Sequence, residues 1–185
     1  MDLGAYARIK DLNHLMAENG IYVPRLRGLR LMAEEEPMTD AEIEHEANVM
    51  GAHACQRLIY SEFRINSHWH RFSKNTEKLC KRYIVYDKNG LPKAVRWNVL
   101  RGKKRKLFKY CLKETKKKVY RNYKTFSKYA GRDDVLYIHA RIGGLNWDNF
   151  DGAEIEKQPW FLEKVDDVYD CTYCDIYARI EVKDE

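Results

Sequence analysis

The sequence predicts an α+β fold, and three observations carry that prediction. A stretch free of Gly and Pro, 103–130, places apolar residues at helical spacing. A β-branched and aromatic run meets turn chemistry at Asp87-Lys88-Asn89-Gly90. Two alternating segments follow in the C-terminal third. The expected architecture is N-terminal helices, a β-hairpin, one long basic helix and two C-terminal strands in a mostly antiparallel sheet. The expected organisation is an N-terminal helix and arm over 1–38 and a single α+β domain over 39–185.

Each element follows from local chemistry. Leu3, Ile9, Leu12, Leu15 and Met16 recur at roughly helical spacing over 1–20, with Gly20 placed to end that helix. Pro24, Gly28 and Pro37 interrupt 21–38, which reads either as an arm whose Arg25, Arg27 and Arg30 meet a partner or as a strand packed on the domain. Thr39 and Glu42 form a capping-box signature. Behind them Ile43, Ala47, Met50, Ala54 and Leu58 mark one face of a helix over about 40–64, in which Gly51 either weakens the helix or admits a close neighbour.

Residues 65–81 read as a helix-to-strand connection. Arg82–Tyr86 and Lys93–Leu100 then make the two arms of a hairpin, with Gly90 supplying the positive φ. Phe108, Leu112, Thr115, Val119, Tyr123, Phe126 and Ala130 line one side of the long helix, and Gly131 stops it. Asp134–Ile142 reads as a strand ended by Gly143-Gly144. Residues 154–166 read as a short helix interrupted by Pro159. Thr172–Val182 closes as a strand.

Composition narrows the function classes. Of 185 residues, 34% are charged and 44% hydrophobic, which fits a folded chain with a heavily ionic surface. No apolar run reaches membrane-spanning length, and no secretory pattern opens the sequence, so a cytoplasmic protein without a membrane partner is expected. Five Cys at irregular spacing suit reduced thiols rather than a disulfide framework.

The net charge of +6 conceals an asymmetry. Residues 101–132 hold fourteen Lys or Arg against one acid, Glu114, a net of +13. Residues 148–185 hold twelve acids against four bases, a net of −8. One acid within the long helix cannot neutralise its cations by pairing along the helix. A helix of this length can follow a phosphate backbone and release counterions as it does so. The candidate contacts for DNA, RNA or another polyanion are Arg101, Lys103, Lys104, Lys106, Lys109, Lys113, Lys116, Lys117, Arg121 and Lys124, with Arg141 and Trp147 at the end of the following strand. If the protein's own carboxylates held these lysines, the basic face would be only a solvated surface.

Other motifs point less far. His68-Trp69-His70 has the His-hydrophobic-His form of metal-dependent nucleases that attack with a helical Tyr, here Tyr110, Tyr120 or Tyr123. One Cys-x-x-Cys pair, Cys171 and Cys174, is half of a zinc site, and Cys leading into a strand is more often a small buried residue. No cofactor and no catalytic residue is assigned.

Two C-terminal stretches carry a family resemblance: Val135-Leu-Tyr-Ile-His-Ala-Arg-Ile-Gly-Gly-Leu-Asn-Trp147, and Lys157-Gln-Pro-Trp-Phe-Leu-Glu-Lys-Val-Asp-Asp167 with the later Cys174-Asp-Ile-Tyr-Ala-Arg-Ile180. They resemble small phage and mobile-element proteins that include anti-CRISPR inhibitors of type II CRISPR nucleases. The resemblance implies a non-enzymatic inhibitor in the host cytoplasm that binds the guide-RNA-loaded nuclease and blocks target DNA binding or cleavage. His139, Arg141, Asn146 and Trp147 would form a contact cluster, or else a strand end whose Trp and Asn organise a turn. Many such inhibitors imitate DNA with an acidic surface, whereas this chain's most prominent surface is basic. Two alternatives stand beside it: a general nucleic-acid-binding accessory protein of a mobile element, and the metal-dependent nuclease.

Overall fold

A computed structural model of the chain describes residues 3–23, 25–64, 69–141, 152–166, 168 and 173–181. Its elements are α1 (Leu3–Glu18), β1 (Leu26–Leu31), α2 (Asp40–Arg64), α3 (Trp69–Tyr83), β2 (Ile84–Tyr86), β3 (Pro92–Val95), α4 (Gly102–Tyr129), β4 (Val135–Arg141), α5 (Gly152–Glu156), β5 (Phe161–Asp166) and β6 (Tyr173–Arg179). The class is α+β, as the sequence predicts. The chain forms two compact units, Met1–Pro37 with Lys124–Glu185, and Met38–Tyr123. The sequence reading divides the chain once, after residue 38. The two units join after Pro37 and inside α4, where Phe108 belongs to one hydrophobic cluster and Tyr129 to another.

The first unit is built on an antiparallel sheet of order β1-β4-β6-β5. Alternation sorts its side chains to two faces. Leu136, Ile138 and Ala140 of β4 join Cys174, Ile176 and Ala178 of β6, packed with Leu12 and Met16 of α1. Val135 and Tyr177 share the other cluster with Met32 and Tyr129, and the Tyr129 and Tyr177 rings stack 4.7 Å apart. α1 ends as expected: Gly20 has φ +64, and the N–H groups of Gly20 and Ile21 return to Ala17 and Met16 at 3.1 and 2.8 Å.

The second unit gathers α2, α3, the β2–β3 hairpin and most of α4 around Cys55, Ile59, Cys80, Tyr83, Ile84, Leu100 and Phe108. The capping box at Thr39 forms: the Thr39 N–H donates to Glu42 at 2.8 Å and the Glu42 N–H to the Thr39 hydroxyl at 3.3 Å. Gly51 is a point of close approach. A Cβ there would sit 1.9 Å from Leu112 Cδ1 of α4. In the hairpin turn, Asp87 Oδ1 accepts the N–H groups of Asn89 and Leu91, each at 2.8 Å.

One open choice is resolved by the structure, and two sequence expectations differ from it. The segment after Pro24 is an edge strand: β1 pairs with β4 from Leu26↔Ala140 to Leu31↔Leu136, with a bulge between Leu26 and Gly28. Its ladder partner lies more than a hundred residues away, so local Pro and Gly could not decide between the arm and the packed strand, and the structure selects the strand. The expected connection at 65–81 contains α3, and Trp69 and His70 lie at its N-terminal end. The helix expected over 154–166 covers only Gly152–Glu156, and β5 begins after Pro159, because pairing with β6 overrides the local signal.

Candidate nucleic-acid interface

The outer side of α4 is assembled by periodicity. Phe108 and Val119 are buried, and Leu112 and Thr115 are half-buried between them. The opposite side carries Lys103, Lys106, Tyr110, Lys113, Lys117, Arg121 and Lys124, at intervals of three and four residues. All seven are exposed, and Tyr110 is 64% exposed. The helix has 28 residues and so rises about 42 Å.

The predicted contacts separate by what their charges meet. Lys103, Lys106, Lys109, Lys113, Arg121 and Lys124 are exposed and have no carboxylate partner among the described residues. Arg101 donates to the Leu100 carbonyl at 3.0 Å, and Lys104 lies 5.3 Å from the Tyr83 ring centre. Lys117 meets Glu114 at 3.0 Å, an exposed pair of the kind solvent screens. Lys116 is held more firmly, 2.6 Å from Glu44 Oε1.

Glu44 on α2 also accepts the Tyr120 hydroxyl and, at 3.1 Å, the Asn48 amide. The Lys116 ammonium first, then the Tyr120 hydroxyl, hold its carboxyl down to about 2. Lys109, Leu112, Lys113, Lys116, Lys117 and Tyr120 line a shallow open groove along this flank. It has an apolar floor at Leu112 and ammonium groups around it.

The first turn of α4 works against its own helix. It holds Lys103, Lys104 and Arg105 with no acid, where the helix dipole is positive and disfavours cations. Arg105 has a structural use, since it donates to the Trp97 carbonyl at 2.9 Å. Lys103 has none among the described residues.

In the first unit, His139 and Arg141 share one side of β4. His139 Nδ1 lies 2.8 Å from Asp175 Oδ1, and the Tyr137 hydroxyl donates to the same oxygen at 2.6 Å. The His139 ring stacks on Tyr173 with centres 5.1 Å apart. Arg141 is exposed beside them. Asn146 and Trp147, expected in this cluster, lie outside the described residues, as do Gly143 and Gly144. Arg30, expected to meet a partner if the arm reading held, pairs instead with Glu35 at 2.9 Å and covers the Tyr137 ring at 4.2 Å.

Sequence reasoning missed Glu44, Asp175 and Glu163, the carboxylates that tie down basic or aromatic groups. Glu44 and Tyr120 are 76 positions apart, and His139 and Asp175 are 36 apart, so no local pattern connects either pair. Of the proposed zinc pair, Cys171 lies outside the described residues. Cys174, on β6, is buried in the cluster that packs against α1, and burial pushes its thiol up to about 12. No group of three or more metal-ligating side chains occurs among the described residues. His68 also lies outside them. No helix among the described residues is long and apolar enough to cross a membrane.

No family model, no curated protein and no solved structure matches the chain.

Proposed function

We propose that the chain binds nucleic-acid phosphates along the outer side of α4, and that its partner is a guide-RNA-loaded type II CRISPR nuclease whose target binding or cleavage it blocks without catalysis. The observation that carries the first part is the line of exposed cations from Lys103 to Lys124, which lacks carboxylate partners among the described residues at every position except Lys117. Ammonium groups recurring about every turn are spaced to meet successive phosphates, and each contact releases counterions. Tyr110, exposed in the middle of the line, offers a ring for stacking on an unpaired base.

The absence of acid from the first turn of α4 favours the same reading. A cation kept where the helix dipole opposes it lowers local stability, and such conflicts gather at functional sites. The choice of partner rests on the resemblance of the last third of the sequence.

The test is co-elution with purified type II nucleases, with and without guide RNA, beside a mobility-shift titration on free DNA and RNA at several salt concentrations. Binding to the loaded nuclease with loss of target cleavage supports the inhibitor. Binding only to free nucleic acid, weakening steeply with salt, would assign the chain instead to the accessory proteins of mobile elements. Failure to bind any of these polyanions would overturn both.

A further inference from the structure

We infer that Cys55 and Cys111 form a dithiol site that a hydroperoxide oxidises to a disulfide joining α2 to α4. This inference does not depend on the proposed function.

The geometry begins one turn away, at Gly51. Without a side chain at that position the two helices approach closely, and a Cβ at 51 would lie 3.8 Å from the Leu112 Cα. Cys55 follows on the same side of α2, and its Sγ reaches to 3.8 Å from the Phe108 carbonyl of α4. Cys111, one turn after Phe108, packs against the hydrophobic cluster that holds Cys55, and the two thiols influence each other. Both cysteines belong to the second unit. A disulfide requires closely approaching backbones with the two thiols turned toward one another.

The two thiols are unequal, and the inequality assigns their roles. Cys55 is fully buried, and Cys111 is half-buried. The Cys55 thiol first, then the Thr115 hydroxyl, hold the Cys111 thiol below its usual value against the opposing effect of burial. The Cys55 thiol is pushed up by Cys111 and by burial. A peroxide reaches the half-buried sulfur and not the fully buried one, so Cys111 attacks and Cys55 resolves.

In the first step the Cys111 sulfur attacks one oxygen of the hydroperoxide. An S–O bond forms, the O–O bond breaks, and water or an alcohol leaves with the thiol proton. In the second step the Cys55 sulfur displaces hydroxide from the Cys111 sulfenic acid. An S–S bond forms, and the hydroxide leaves as water with the Cys55 proton. Two thiols are oxidised and one peroxide is reduced.

The other described cysteines do not share this arrangement. The Cys80 thiol is pushed up by burial and hydrogen-bonds with Tyr86 and Tyr60. Cys174 lies on β6 in the other unit, buried against α1.

The experiment treats the reduced full-length chain with hydrogen peroxide, blocks remaining thiols by alkylation, and maps peptides by mass spectrometry without reduction. The expected result is a linked peptide containing Cys55 and Cys111, two hydrogens lighter than its parts and released by dithiothreitol. In Cys55→Ser, Cys111 should stop at a sulfenic acid that dimedone traps. In Cys111→Ser, Cys55 should stay unmodified at the same peroxide dose. The proposal is overturned if Cys111 oxidises in the unaltered chain without linking to Cys55, or if Cys55 links to Cys80 instead. The map of the unaltered chain decides even where a serine variant fails to fold.

Discussion

The two stretches of α4 use the same residue type to opposite ends. In the last turns, Lys128 meets Glu163 of β5 at 3.1 Å, and the same carboxylate accepts the hydroxyls of Thr125 and Tyr129 at 3.1 and 3.2 Å. In the earlier turns, Lys103, Lys106, Lys109 and Lys113 meet no carboxylate among the described residues. The difference teaches that a lysine-rich helix is not one surface. Where the fold supplies an acid, the cation is spent on structure, and where it does not, the cation remains available to a phosphate. Lys116 falls on the structural side although it lies in the earlier stretch, because α2 supplies Glu44.

The largest expected effect tests the available side of that division. Lys113→Glu with Lys117→Glu should remove two phosphate contacts. At about 0.1 M salt each lost contact weakens binding roughly eightfold, so the pair should weaken it on the order of sixtyfold, with a shallower salt slope. Thermal unfolding should be almost unchanged, since both residues are exposed. Lys128→Ala, measured in the same titration, should change affinity far less. Equal losses from the two variants would erase the distinction.

Next in size is the structural side. Glu163→Ala strands Thr125, Lys128 and Tyr129 at once, and should cost about 1–2 kcal/mol of unfolding free energy after allowance for solvent screening. Polyanion affinity should hold. Burial raises the Glu163 carboxyl, but Lys128 and Thr125 outweigh burial and hold it below the usual 4.5. A depressed carboxyl stabilises fully above its unfolded value, and the contribution is lost as pH falls through the folded one. The unaltered chain should therefore lose stability below about pH 4.5 more steeply than Glu163→Ala, as read from denaturation midpoints across pH. Parallel pH curves would count against this network.

These two tests also mark what the sequence made legible. α4 could be read because Phe108, Leu112, Thr115 and Val119 keep helical spacing without a break. α2 could be read from Thr39 and Glu42, whose reciprocal bonds are local. α3 left a signal in Trp69, Phe72, Thr76, Leu79, Cys80 and Tyr83 that polar neighbours obscured. β5 was not legible and β1 stood only as one of two readings, because Pro24, Gly28 and Pro159 speak locally while the deciding hydrogen bonds come from β4 and β6. In the site, the cations could be read from the sequence, but their pairing could not. Whether Lys116 or Lys113 is available depends on Glu44, some seventy positions upstream.

Glu44→Gln converts one kind of lysine into the other. The amide keeps an acceptor for Tyr120 but removes the charge that neutralises Lys116. Affinity for a polyanion should rise, by up to roughly eightfold near 0.1 M salt if the freed ammonium reaches a phosphate. The tie in the unaltered chain should also resist acid: Lys116 and Tyr120 hold Glu44 down to about 2, so the contact persists below pH 4.5 and breaks only near pH 2. NMR titration of the Glu44 carboxyl would check the second point, and unchanged affinity in the variant would refute the first.

The smallest effect separates stability from binding within a single residue. Lys103 sits in the first turn of α4, where the helix dipole favours anions, and it has no carboxylate partner among the described residues. Lys103→Glu should therefore stabilise the helix by about 0.5 kcal/mol, visible as a slightly higher unfolding midpoint. If Lys103 belongs to the phosphate-binding line, the same change must weaken polyanion binding. Opposite signs in the two measurements fit a cation retained for a ligand, and stabilisation without loss of affinity would end the line of contacts at Lys106.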